Sequence, residues 1–271
     1  MCQLLAMNSS KPAAVDFSFA GFAERASEHQ DGWGIAVHGP DGCQLITDHL
    51  AALASPLAAP FRRPQPGARI KARNVVAHIR KATQGRIALE NSHPFTRQLW
   101  GQTWSFAHNG DLKAFAPEFS AGQYTPRGDT DSERAFCHLL TSLAERFAEA
   151  PPRHTLYAAL QALAATIAAH GTFNFILSNG ELLFAHCSTD LHYVVREYPF
   201  SVAKLIDCDL SIDFSQHNHL DDRIAVIATK PLTSNESWIA FQSGELKLFV
   251  GGEQVGAAPA RCRSRELAIC Y

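Results

Sequence analysis

Polar and apolar positions alternate clearly in one stretch of the first fifty residues. "DGWGIAVHGPDGCQLITDHL" (31–50) alternates on both sides of Gly39-Pro40-Asp41-Gly42, whose glycines and proline suit a tight turn, so two antiparallel strands are expected. "RNVVAHIRKA" (73–82) and "WGQTWSFAHNG" (100–110) read as two further strands, each an apolar run with histidine near its end. Cys2-Gln3-Leu4-Leu5 is expected to begin an edge strand. From Thr130 the period becomes helical. Phe136, Leu139, Leu140, Leu143 and Phe147 recur at steps of three and four, and Thr130 with Glu133 forms a capping box. After Pro151-Pro152 a second helix, from about Thr155 to His170, carries Leu156, Leu160, Leu163 and Ile167 on one stripe. Strands then resume. "GTFNFILSNGELLFAHC" (171–187) is a hairpin about Asn179-Gly180, followed by "LHYVVRE", "DRIAVIAT", "SWIAFQ" and "ELKLFVGG".

Antiparallel strands, two adjacent helices and strands again predict α+β layers, with helices covering antiparallel sheets rather than a doubly wound parallel sheet. "ASPLAAPFRRPQPGAR" (54–69) reads as a surface loop, and the residues from Gly251 onward as a loose tail of one domain spanning 1–271. No internal repeat is found.

Composition narrows the partners. In 271 residues, 46% hydrophobic and 18% charged, 24 basic side chains face 26 acidic ones, for a formal charge of −2. That balance favours neither nucleic acid nor an anionic membrane. No apolar run reaches membrane-spanning length and the first residues do not resemble a secretory signal, so a cytoplasmic protein is expected. The seven cysteines, at 2, 43, 137, 187, 208, 262 and 270, form no C-x-x-C pair and fit neither a disulfide framework nor a zinc site.

Costly polar groups cluster at strand ends: "HIRKAT" (78–83), "NSHPF" (91–95), "HNGD" (108–111) and "GDTDSE" (128–133). Singly, each has a structural use in a turn, an ion pair or a helix start. Together with Cys2 they meet the needs of amide cleavage, which requires a nucleophile, a proton acceptor near pH 7 and donors for the tetrahedral oxyanion. Once Met1 is removed, Cys2 carries a thiol and a free α-amine whose reference pKa is about 7.7–8.0, low enough to take the thiol proton. Asn109 offers a side-chain NH2 and Gly110 a backbone N–H that no Cβ shields. Arg80 can grip a substrate carboxylate bidentately, and Asp131, at a helix start, can accept from an ammonium. One pocket would then recognise an amino-acid zwitterion.

Cys2, His78-Ile79-Arg80-Lys81-Ala82-Thr83, Asn91-Ser92-His93-Pro94, His108-Asn109-Gly110 and Thr130-Asp131-Ser132-Glu133 resemble the class II glutamine amidotransferase domain, an N-terminal-nucleophile (Ntn) hydrolase. "DGWGIA", "ENSHPFTRQLWG" and "GDTDSE" are similar to its stand-alone YafJ-type branch, over most of the chain to about residue 250. The resemblance implies an αββα sandwich, Cys2 as nucleophile, Asn109 and Gly110 as oxyanion donors, Arg80 and Asp131 as glutamine clamps, and Thr83 and His93 lining the pocket. It departs at Lys81, where better-known members carry tryptophan, and at Gln84, where they carry histidine. Asp129 is a second candidate for the ammonium.

The expected function is attack of Cys2 on the glutamine side-chain amide, giving a glutamyl thioester, ammonia and then glutamate, with no cofactor. The chain has no length left for a synthase domain, so ammonia would pass to a separate synthase subunit. A γ-glutamyl-conjugate hydrolase with no nitrogen acceptor and a non-catalytic glutamine-binding module are the alternatives. His217, His219, Asp221 and Asp222 have the chemistry of metal ligands, but "SQHNHLDDR" is polar throughout and reads as a solvated loop, so no metal is expected. Cys137 is expected in the core, and Trp33 either under the site or in the core.

Overall fold

The residues read as strands settle into two antiparallel sheets. A computed structural model of the chain describes residues 2–27, 31–62, 70–81, 88–120 and 124–256. The elements run β1 (Gln3–Ala14), α1 (Asp16–Glu24), β2 (Trp33–Gly39), β3 (Gly42–Asp48), α2 (Ala59–Arg62), β4 (Lys71–Ile79), β5 (Phe95–Leu99), β6 (Gln102–Asp111), α3 (Asp131–Arg146) and α4 (Arg153–Ala168). Then come β7 (Thr172–Ser178), β8 (Leu183–Cys187), β9 (His192–Arg196), β10 (Val202–Lys204), β11 (Ser211–Asp213), β12 (Ile224–Ala228), β13 (Ile239–Ala240), β14 (Glu245–Val250) and β15 (Glu253–Val255). One sheet orders its strands β13-β9-β12-β1-β4-β2-β3 and the other β15-β14-β8-β7-β6-β5, with β10 and β11 forming a separate ribbon.

Side chains alternate across a strand, and that alternation builds the layers. Leu4 and Ala6 of β1, Val76 of β4, Ala107 of β6 and Ile176 of β7 face one another between the sheets. The opposite parity of β1 and β4, Leu5, Met7, Val75 and Ala77, packs under Phe17, Phe19 and Phe22 of α1 and Phe61 of α2. On the second sheet, Phe106, Phe173, Phe175 and Leu177 face outward against Phe136, Leu139, Leu140 and Leu143 of α3 and Leu156, Leu160 and Ile167 of α4. The result is helix, sheet, sheet, helix: the αββα sandwich of the Ntn hydrolases.

Three expectations need correction, and one helix was not foreseen. β1 is no edge strand, because it pairs with β12 on one side and β4 on the other. Leu4-Leu5-Ala6-Met7 is apolar on both parities, the mark of a strand covered on both faces. α1 was not legible as a helix, because all but one of its nine residues are buried and no polar face gives it a period. The stretch 54–69 is not wholly surface loop. It contains α2, whose Phe61 ring meets Phe19 at 5.5 Å and Trp33 at 6.2 Å, while 63–69 lie outside the described residues. The tail is tied down as far as β15, which pairs with β14, and the Gly252 N–H donates to Asn8 Oδ1 at 2.7 Å; 257–271 lie outside the described residues.

Candidate active site

Strand parity also gathers the polar cluster. Gln3 pairs with Ile79, so Cys2 continues β1 opposite Arg80, at the end of β4. Cys2 shares the parity of Leu4, Arg80 that of Val76, and Asn109 that of Ala107, so all three point into the gap between the sheets. The Cys2 thiol lies against the backbone of one residue, accepting from the Lys81 N–H at 3.2 Å and donating to the Lys81 carbonyl at 3.3 Å. Burial pushes the thiol pKa above its ordinary value, while the Lys81 N–H and the Arg80 charge pull it down.

Asn109 is fully buried and donates from Nδ2 to the Cys2 carbonyl at 2.6 Å, and its Oδ1 has no hydrogen-bond partner among the described residues. An amide NH2 carries two hydrogens, so one remains after that bond. Asn174 Nδ2 donates to the Asn109 carbonyl at 3.0 Å, and Asn174 Oδ1 accepts from the N–H groups of Ser188 and Thr189. Gly110 follows on β6 with its other face against β7, where a Cβ would collide with the Thr172 carbonyl. Glycine is required there by space alone.

Arg80 is buried, its N–H donating to the Gly32 carbonyl at 2.9 Å. His93 is buried too, its ring 4.3 Å from that of His78 and 4.5 Å from that of Phe95, with neither ring nitrogen hydrogen-bonded to any of the described residues. Burial, aided by His78, His108 and Arg80, holds its pKa well below the ordinary histidine value, so His93 is neutral. The His93 carbonyl sits where a Cβ on Gly34 would be, which seats the "NSHPF" segment directly on β2.

Asp131 opens α3. Its Oδ2 accepts from the Leu112 N–H at 2.7 Å and its Oδ1 from the Ser132 N–H at 2.8 Å, which fixes the carboxylate at the end of β6. Asp129 is engaged elsewhere: Asn91 donates from Nδ2 to Asp129 Oδ1 at 2.6 Å and accepts the Asp129 N–H at 3.0 Å. Only half of the expected capping box forms. Thr130 Oγ1 accepts from the Glu133 N–H at 3.2 Å, but the Glu133 carboxylate reaches past Thr130 to the N–H groups of Arg127 (3.0 Å) and Gly128 (2.7 Å) and to Arg97 Nη2 (2.6 Å). The loop before α3 therefore hangs on one buried carboxylate. Removing one partner of such a pair strands the other, so Glu133→Ala is expected to cost about 3 kcal/mol of stability. A urea melt with unchanged slope and a lowered midpoint would show it.

Among the candidates read from sequence, Cys2, Arg80, Asn109, Gly110, His93 and Asp131 are brought to this end of the sandwich by the strand ends and the start of α3, while Thr83 and Gln84 lie outside the described residues. Trp33 is core, edge-on to Phe19 at 5.6 Å, and Cys137 is buried on α3 with its thiol pushed up to about 11 by burial. Around His217 and His219, Lys11 pairs with Asp221 at 2.6 Å and with Asp222 at 3.2 Å. Among the described residues no three metal-ligating side chains gather, and no helix is long and apolar enough to cross a membrane. Sequence reasoning missed the Lys81 contact, which is made by backbone atoms, and Asn174, whose only signal was an amide inside the apolar run "TFNFIL".

The chain matches the family model for class II glutamine amidotransferases over residues 1–269. It is 46% identical over 258 residues to a proposed glutamine amidotransferase of Haemophilus influenzae, covering 94% of this chain and 86% of that protein. It is 43% identical to the proposed glutamine amidotransferase YafJ of Escherichia coli, covering 94% of this chain and all of that one. The crystal structure of a predicted glutamine amidotransferase from Pseudomonas aeruginosa superposes with a TM-score of 0.73 at 37% identity, over 94% of this chain and 100% of that one. With family model, relatives and architecture in agreement, the chain belongs to the class II glutamine amidotransferases.

Proposed function

We propose that the protein hydrolyses the side-chain amide of glutamine through Cys2, exposed as the terminal residue by removal of Met1. The observation that carries this reading is the Asn109 Nδ2 contact to the Cys2 carbonyl at 2.6 Å, which couples the thiol-bearing residue to an amide donor across the gap between the sheets. The α-amine takes the thiol proton, and Sγ adds to the amide carbon. The oxyanion is met by the second Nδ2 hydrogen of Asn109 and the Gly110 N–H. Collapse expels ammonia, which leaves with the proton held by the amine, and water then cleaves the thioester to glutamate. Arg80 holds the substrate carboxylate and Asp131 the ammonium, with Thr83 and His93 lining the pocket. Ammonia passes to a separate synthase subunit.

A second reading is hydrolysis of γ-glutamyl conjugates without a nitrogen acceptor. Lys81 favours it, because the residue whose backbone cradles the thiol carries an exposed, flexible side chain in place of a bulky aromatic, which leaves more room for a larger leaving group. Incubation with glutamine and with a series of γ-glutamyl amines, measuring glutamate release, separates the two. The mass of the intact protein tests the shared premise: a retained Met1 locks the amine in a peptide bond, removes the base and leaves a glutamine-binding module.

A further inference from the structure

His108 lies beside the oxyanion donors in sequence but on the opposite face of β6, under α3. Its Nε2 is 3.0 Å from the Thr172 carbonyl and its Nδ1 is 2.8 Å from Ser132 Oγ. A carbonyl only accepts, so Nε2 carries a proton. Burial lowers the His108 pKa, outweighing the upward pull of Asp131 and the Thr172 carbonyl, so the ring is neutral and Nδ1 is bare. The single hydroxyl proton of Ser132 therefore points at His108. Its other acceptor within reach is Asp131 Oδ1, at 3.3 Å.

We propose that His108 is a positioning residue: it draws the Ser132 hydroxyl away from Asp131 and so keeps the carboxylate open to the substrate's ammonium. The proposal rests on the reading of Asp131 as the ammonium acceptor. A carboxylate has about four lone-pair sites. The Leu112 and Ser132 N–H groups occupy two, one on each oxygen, and these backbone bonds orient the group. A hydroxyl turned onto Oδ1 would fill a third and compete with the ammonium on the same oxygen. His108 thus joins two parts of the site. Through Thr172 it fixes β6 against β7 beside Gly110, and through Ser132 it sets how much of Asp131 a substrate can use.

The test is calorimetric binding to the full chain carrying Cys2→Ala, which cannot turn substrate over. The two ligands are glutamine and 4-carbamoylbutanoate, which is glutamine without its α-ammonium. His108→Gln keeps a donor for Thr172 but removes the acceptor for Ser132. It is expected to weaken glutamine about tenfold, the size of one hydrogen bond to a charged group, while 4-carbamoylbutanoate stays within about twofold. Adding Ser132→Ala to His108→Gln should restore most of the lost glutamine affinity, and His108→Asn, whose amide oxygen can replace Nδ1, should lose less than His108→Gln. A purely structural role predicts equal weakening of both ligands and further loss in the double variant, and either result overturns the proposal. So does failure of glutamine to bind when His108 is intact. If binding follows the expected pattern but the protein with Cys2 releases no glutamate, the positioning role stands and the nucleophile assignment falls.

Discussion

Cys2→Ala is expected to reduce glutamate release to background, a loss on the order of 10⁶ in kcat, as when a covalent catalyst loses its nucleophile. The fold should barely register the change. The thiol is half-buried and its two hydrogen bonds both go to the backbone of Lys81, so a destabilisation of about 1 kcal/mol at most is expected in a urea melt. Glutamine should still bind the variant, because the proposed grips are Arg80 and Asp131. Equal turnover by the two proteins would sink the mechanism. An electrophilic glutamine analogue gives an independent check: its mass should appear on the peptide that begins with Cys2, and not on those holding Cys43 or Cys137. Burial pushes both of those thiols up to about 11, which keeps them protonated and poorly nucleophilic at neutral pH.

Asn109→Ala is expected to lower kcat by about 10²–10³, the 2.7–4 kcal/mol typical of one oxyanion donor, with KM for glutamine little changed. Asn109 does two jobs in this geometry, which makes the substitutions informative. One Nδ2 hydrogen is committed to the Cys2 carbonyl, and the other is left for the substrate oxygen. Alanine removes both. Asn109→Asp is expected to be worse for stability than alanine, because it sets a carboxylate oxygen against the Cys2 carbonyl with no hydrogen between them. Steady-state kinetics on Asn109→Ala decide the role: a raised KM with kcat preserved would make Asn109 a binding residue and leave the oxyanion without its side-chain donor.

Much of the site was legible because its residue types are chemically expensive where they stand. A histidine-arginine pair at the end of "RNVVAHIR" and an amide-glycine pair at the end of "WSFAHNG" interrupt apolar runs, and such interruptions need a reason. The α3 and α4 helices were legible from their apolar period, as was the hairpin about Gly39-Pro40-Asp41-Gly42. Elements without a polar face were not. α1 is apolar almost all round, and α2 is one turn inside a proline-rich stretch, so neither shows a period that separates helix from loop. The Thr130 and Glu133 motif was read correctly as a helix start, yet the Glu133 partner is Arg97, on β5 and far away in sequence. No local pattern contains that choice.

By itself the sequence determined the side-chain chemistry available and the strand and helix periods that sort each residue to one face, because both are local properties of the chain. Only the tertiary structure decided that β1 lies in the middle of its sheet, that the Lys81 backbone receives the thiol, and that Asn109 reaches Cys2 across the gap. These are contacts between residues 79 and 107 positions apart, and they are fixed by sheet register and layer packing.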